Sequence, residues 1–174
     1  MRKYFFCLIA ILLCLTCAAS CGKGPETPTE TESETNESST ETELFIPPVI
    51  KVLDATAADG RVDVTIEMSE YKGLYAADLL LYFKSDVLDY DSFTDVLGED
   101  SVTSAALVED NCVKISIATL KDLAPGQALV TVSFLVRTGA ASGTYPMELY
   151  SAEASGRNAQ EIEVVPVDGS VTIP

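Results

Sequence analysis

The sequence predicts an all-β fold: a sandwich or jelly roll of about nine strands, preceded by a disordered linker. Three observations predict it. Across residues 45–174 apolar side chains recur at every second position, which places them on one buried sheet face. Glycine-containing turn signals separate these runs at short intervals. No helical periodicity extends beyond a turn or two.

In chain order, Val49–Leu53 is the first apolar run. After Asp59-Gly60, Val62, Val64, Ile66 and Met68 alternate with Asp63, Thr65 and Glu67. Lys72-Gly73 precedes Ala76–Phe83, and Val87–Tyr90 and Val102–Val108 follow. Val113, Ile115 and Ile117 then alternate with Lys114 and Ser116. Thr119–Leu123 is expected to form a short helix. Pro125-Gly126 leads into Val130, Val132, Phe134 and Val136, which alternate with Thr131, Ser133 and Leu135. Ser142-Gly143 introduces Tyr145–Tyr150. Glu161–Val165 and, past Asp168-Gly169, Ser170–Ile173 complete the set. No internal repeat is visible.

The N-terminal segment has a different texture. Arg2 and Lys3 precede an apolar run over Tyr4–Leu15, and small residues follow at Ala18, Ala19 and Ser20. That is the layout of a secretory leader, residues 1–20, whose apolar run is too short to span a bilayer comfortably. Ala18-Ala19-Ser20-Cys21 resembles a bacterial lipobox, in which the Cys is lipidated and becomes the mature N-terminus. The resemblance implies anchoring to the outer face of the bacterial cell membrane through Cys21; the alternative is an ordinary secreted protein cut near Ser20. Residues 22–44 carry seven Glu and one Lys among Thr, Ser, Pro and Asn. Such a stretch has nothing to bury against its chain entropy and is expected to be disordered. As a stalk it would reach roughly 80 Å fully extended, or about 25–30 Å as a coil.

Composition excludes whole classes. A net charge of −16 argues against nucleic acid, whose affinity rests on Lys and Arg. With no His there is no His-based general base, His metal ligand or triad. Cys7, Cys14 and Cys17 fall in the leader and Cys21 carries lipid, so only Cys112 remains and the domain has no intramolecular disulfide. Cys112 is expected to be half-buried and inert, since no His could activate it. Asp86, Asp89 and Asp91 cluster near a turn, but no calcium-loop spacing is present. Neither a metal nor another cofactor is expected, and no sugar cleft with a catalytic carboxylate pair is apparent. The expectation is a protein without enzymatic activity.

The run Gly73-Leu74-Tyr75-Ala76-Ala77-Asp78-Leu79-Leu80-Leu81-Tyr82-Phe83-Lys84-Ser85-Asp86-Val87-Leu88-Asp89 resembles the early strands of cohesin domains. That family carries a Gly, an Asp in the following strand, an apolar run ending in an aromatic, and a short turn into Val-Leu-Asp. Val130–Val136, the small-residue turn at 140–145 and Val167-Asp168-Gly169-Ser170-Val171-Thr172-Ile173 resemble its later strands, in order, across residues 48–174. The resemblance implies a nine-stranded jelly roll that binds dockerins, small modules that carry their own calcium on polysaccharide-degrading enzymes.

The strand Ala76–Phe83 splits by parity. Ala77, Leu79, Leu81 and Phe83 suit a core. Ala76, Asp78, Leu80 and Tyr82 make a mixed face, an acid among large apolar groups, as at interface centres. A central strand covered by loops on that side is the competing reading. The resemblance implies that Asp78 accepts dockerin hydrogen bonds and that Glu161 is an acidic contact near the last strand. Ser116 stands where the family would place an apolar contact, and Ala76 where it often has Asn, so a divergent partner is expected. A carbohydrate-binding module on the same architecture is the second function, with polysaccharide as partner. It requires a coplanar row of exposed tyrosines, and Tyr82 and Tyr150 could share a sheet if their strands are neighbours. A solute-capturing lipoprotein is a third, but the domain has no second lobe.

Overall fold

The computed structural model describes residues 47–68, 73–121 and 123–174. The leader, Cys21 and the linker lie outside the described residues. Eleven strands form among those described: β1 (Val49–Val52), β2 (Ala55–Thr56), β3 (Arg61–Met68), β4 (Ala76–Tyr82), β5 (Leu88–Asp95), β6 (Ser101–Glu109), β7 (Cys112–Thr119), β8 (Gln127–Val136), β9 (Gly143–Ser155), β10 (Val165–Val167) and β11 (Gly169–Ile173). A five-stranded sheet has the order β10-β1-β3-β8-β5, and a six-stranded sheet the order β2-β11-β9-β4-β7-β6. The pairs β1/β10 and β2/β11 are parallel; the others are antiparallel.

Alternation becomes burial as expected. Val62, Val64, Ile66 and Met68 on β3, Leu79 and Leu81 on β4, and Ile115 and Ile117 on β7 all face one shared core. Phe134 of β8 is fully buried at its centre, its ring 4.9 Å from that of Phe83 and 6.3 Å from that of Tyr90. Each large side chain so buried contributes about 1.5–3 kcal/mol. Tyr90 also donates its hydroxyl to the Ala105 carbonyl at 3.0 Å, tying β5 of one sheet to β6 of the other.

Two glycines are dictated by geometry. Asp59 and Gly60 take φ of 53° and 77°, the left-handed pair of a two-residue hairpin closed by Ala58 and Arg61. At Gly169 a Cβ would stand 2.6 Å from the Val52 carbonyl oxygen, so only glycine lets β11 pass that close to the end of β1.

Three expectations need correction. Thr119 does not open a helix: it ends β7, and its hydroxyl accepts from the Lys121 amide at 3.1 Å and donates to the Lys121 carbonyl at 3.3 Å. That side chain offers the backbone a turn in place of helical bonds. Glu161–Val165 is not one strand: Glu161 makes a single bridge to Ser155, and β10 begins only at Val165. Cys112 is fully buried, 1% exposed, not half-buried.

Candidate functional site

The strand β4 lies inside the six-stranded sheet between β7 and β9. Its inward residues belong to the core, and its outward residues Ala76, Asp78, Leu80 and Tyr82 are each partly exposed. Register then decides what stands beside them. On β7, Asp78 faces Ser116, Leu80 faces Lys114 and Tyr82 faces Cys112. On β9, Asp78 faces Glu153, Leu80 faces Tyr150 and Tyr82 faces Glu148. A bulge between Asp78 and Leu79 inserts one extra residue in β9. It changes the parity of that strand, so Glu148, Tyr150 and Glu153 share one face.

Asp78 is the best-held group on this surface. The Lys114 ammonium lies 2.7 Å from its Oδ2. The hydrogen bond from Lys114, and then that from Ser116, hold the carboxyl below the usual aspartate range. Lys114 is raised in return, chiefly by the same hydrogen bond. Both side chains stay partly open to solvent, so the pair fixes an ionised acceptor and contributes little to stability. The Tyr82 hydroxyl is hydrogen-bonded to the Cys112 sulfur, which raises its pKa, while burial raises that of the Cys112 thiol. A thiol held protonated is a poor nucleophile.

Glu161 reaches the same region from outside the sheet. It lines a depression of about 490 Å³ together with Ala76, Asp78, Glu153, Ser155 and Ala159. The turn that carries it there is tight: Asn158 and Ala159 both take left-handed φ, 63° and 56°. The structure thus gathers Asp78, Leu80, Tyr82 and Ser116 on one face, with Glu161 at its rim. Sequence reasoning missed Lys114, Glu148 and Glu153. Lys114 shares the parity of Ser116, and Glu148 that of Tyr150; Glu153 depends on the bulge.

Tyr82 and Tyr150 do meet, on neighbouring strands. Their ring centroids are 5.5 Å apart, but the rings stand at 88°, edge to face. They form a corner and not the coplanar row that sugar stacking requires. The aspartate cluster is dispersed as well. Asp89 pairs with Arg137 at 2.5 Å and Asp91 with Arg61 at 2.9 Å. Among the described residues no group of three His, Cys, Asp or Glu side chains could hold a metal ion.

Comparison with known proteins completes the picture. The chain is similar to a non-cellulosomal cohesin from the archaeon Archaeoglobus fulgidus, with a TM-score of 0.63 and 21% identity over 74% of this chain and 92% of that one. It is similar to a type I cohesin from Pseudobacteroides cellulosolvens, with a TM-score of 0.62 and 17% identity over 74% and 92%. A chain of a type I cohesin–dockerin complex from Clostridium thermocellum gives a TM-score of 0.60 and 17% identity over 74% and 100%. No curated protein matches. The sequence model of the cohesin domain matches residues 48–173, which is most of the chain, and the protein belongs to the cohesin domain family.

Proposed function

We propose that this chain is a non-catalytic module that binds a dockerin-like protein on the outer face of β9, β4, β7 and β6, held at the cell surface by lipid on Cys21. One observation carries the reading: Asp78, kept ionised by Lys114 and Ser116, sits amid Leu80, Tyr82 and Tyr150 on the outer face of the sheet. A fixed acceptor ringed by rigid apolar groups is what an interface centre needs. Several structures similar to the chain are cohesins solved with dockerins, which supports the class of partner. The partner's calcium would travel with the partner. Polysaccharide binding is the weaker reading, because the two tyrosines stand perpendicular.

The full chain, immobilised and exposed to the secreted proteins of its own host, should retain a dockerin-bearing protein. Chelating calcium should release it, and Asp78→Ala should weaken its capture. Retention of polysaccharide alone would reverse the assignment. The anchor is tested separately. Cys21→Ser should move the protein from the membrane fraction to the medium, because a lipid on that sulfur would be its anchor; continued retention would point to an uncut leader.

A further inference from the structure

A second depression, of about 360 Å³, opens on the same face beside the Asp78 centre and is lined by Leu80, Tyr82, Glu148 and Tyr150. We propose that it is a socket for a lysine or arginine side chain of the bound partner; the inference rests on the reading of this face as protein-binding. Leu80 faces Tyr150 across the β4–β9 pair, and Tyr82 faces Glu148, so one apolar wall, a ring corner and one carboxylate converge. Tyr150 is 52% exposed and open to contact.

Among the described residues the carboxylate has no cation: six ion pairs form, and none uses Glu148. Among the described residues its hydrogen bond is a long one, 3.4 Å, from the Tyr150 hydroxyl. The neighbouring Lys114 is already committed to Asp78. The field in the depression is negative: Glu148 and, more weakly, Asp168 raise the Tyr150 hydroxyl pKa, and Glu109 contributes at Tyr82.

A basic side chain answers each of these features. Its methylene stem packs on Leu80 and the tyrosine rings, and its head reaches Glu148 and a ring face within about 6 Å. A purely apolar side chain would cover Glu148 without giving it a partner, which is unfavourable. An acidic group would be repelled. A sugar ring would find no stacking plane.

The probe is N-acetyl-arginine amide, titrated into the full chain while the ring resonances of Tyr82 and Tyr150 are followed by NMR. N-acetyl-norleucine amide, which keeps a stem without the charge, and cellobiose are titrated in parallel. Saturable shifts with the arginine probe alone are expected. Glu148→Gln should weaken them about tenfold. Tyr150→Phe should retain them and Tyr150→Ala should abolish them. No saturable shift, equal shifts with the norleucine probe, shifts with cellobiose alone, or indifference to Glu148→Gln would each overturn the socket. The titration needs no partner protein, so its failure would leave the dockerin reading to its own capture experiment.

Discussion

The two sheets bury the same kind of surface inward and present opposite kinds outward. On the outer face of the five-stranded sheet, charges are matched within the molecule. Arg61 lies 2.9 Å from Asp91 and 3.2 Å from Asp63, Lys51 lies 2.8 Å from Glu67, and Thr65 and Thr131 share a hydrogen bond of 3.3 Å. The exposed apolar groups there are separated, Leu135 on β8 and Val165 and Val167 on the far edge strand β10. On the six-stranded sheet, Val102, Val108 and Tyr150 are all more than half exposed, and among the described residues Glu148 has no cation. The six-stranded face also holds an internal pair, Lys114 with Asp78, but leaves more exposed apolar surface around it. A solvated surface is expected to look like the first and a docking surface like the second.

The largest effect available tests the division of β4 itself. Leu79 is fully buried and adjacent to Asp78 but points the other way. Leu79→Ala should cost about 2–5 kcal/mol. The melting temperature should then fall by about 10–20 °C for a domain of this size. A variant melting like the parent chain would break the inward and outward split on which the site rests.

Asp78→Ala should do the reverse. Truncation leaves the partner's donors unpaired, so binding should weaken about ten- to a hundredfold. The melting temperature should move by at most about 4 °C, because the Lys114 pair is partly solvated. An unstable variant that still binds would make Asp78 a brace and remove it from the interface.

The division of faces was legible in the sequence because it needs only parity. Val62 to Met68 and Ala77 to Leu81 alternate cleanly, and Asp59-Gly60 announces its hairpin. The neighbours of each outward residue were not legible, because register is set by long-range pairing. Glu148 and Tyr150 keep the period of two, but the β9 bulge puts Glu153 out of phase with them, so no alternation rule brings all three together. The strands β2 and β10 escaped notice for a simpler reason. At two and three residues they carry no period, and both are held by parallel pairing to distant strands. That is also why about nine strands were expected and eleven are found. Asp78 was singled out by the mixed face of its strand and by the family resemblance; its ion-pair partner Lys114 looked like ordinary solvated charge.

A smaller effect sharpens the comparison from the other sheet. Ser133 is 3% exposed and donates to Asp63 at 2.6 Å. Ser133→Ala should cost about 0.5–1.5 kcal/mol, or about 2–6 °C in melting temperature. Partner affinity should not change. A loss of affinity here would mean that the five-stranded sheet also binds.

The smallest expected effect is of pH. Asp63 is held below the usual aspartate range, first by the hydrogen bond from Ser133, and Asp78 first by that from Lys114. A carboxyl whose folded pKa is depressed contributes stability that is complete above its unfolded pKa, about 3.9 for aspartate, and is lost as pH falls through the lower folded value. Lys114 is shifted the other way: its contribution is complete below the unfolded lysine pKa and is lost only as pH rises through the raised folded value. Neither window reaches the range between pH 5 and 7, so the Asp78 acceptor should keep its charge throughout it. The side-chain carboxyl carbon of Asp78, followed by NMR, should therefore show no titration step above pH 5 and should begin to move only below about pH 4. The partner's own groups do not enter that measurement. A midpoint at or above the ordinary aspartate value of about 3.9 would mean that Lys114 and Ser116 do not hold the carboxylate. The six-stranded face would then lose the fixed charge that sets it apart from its counterpart.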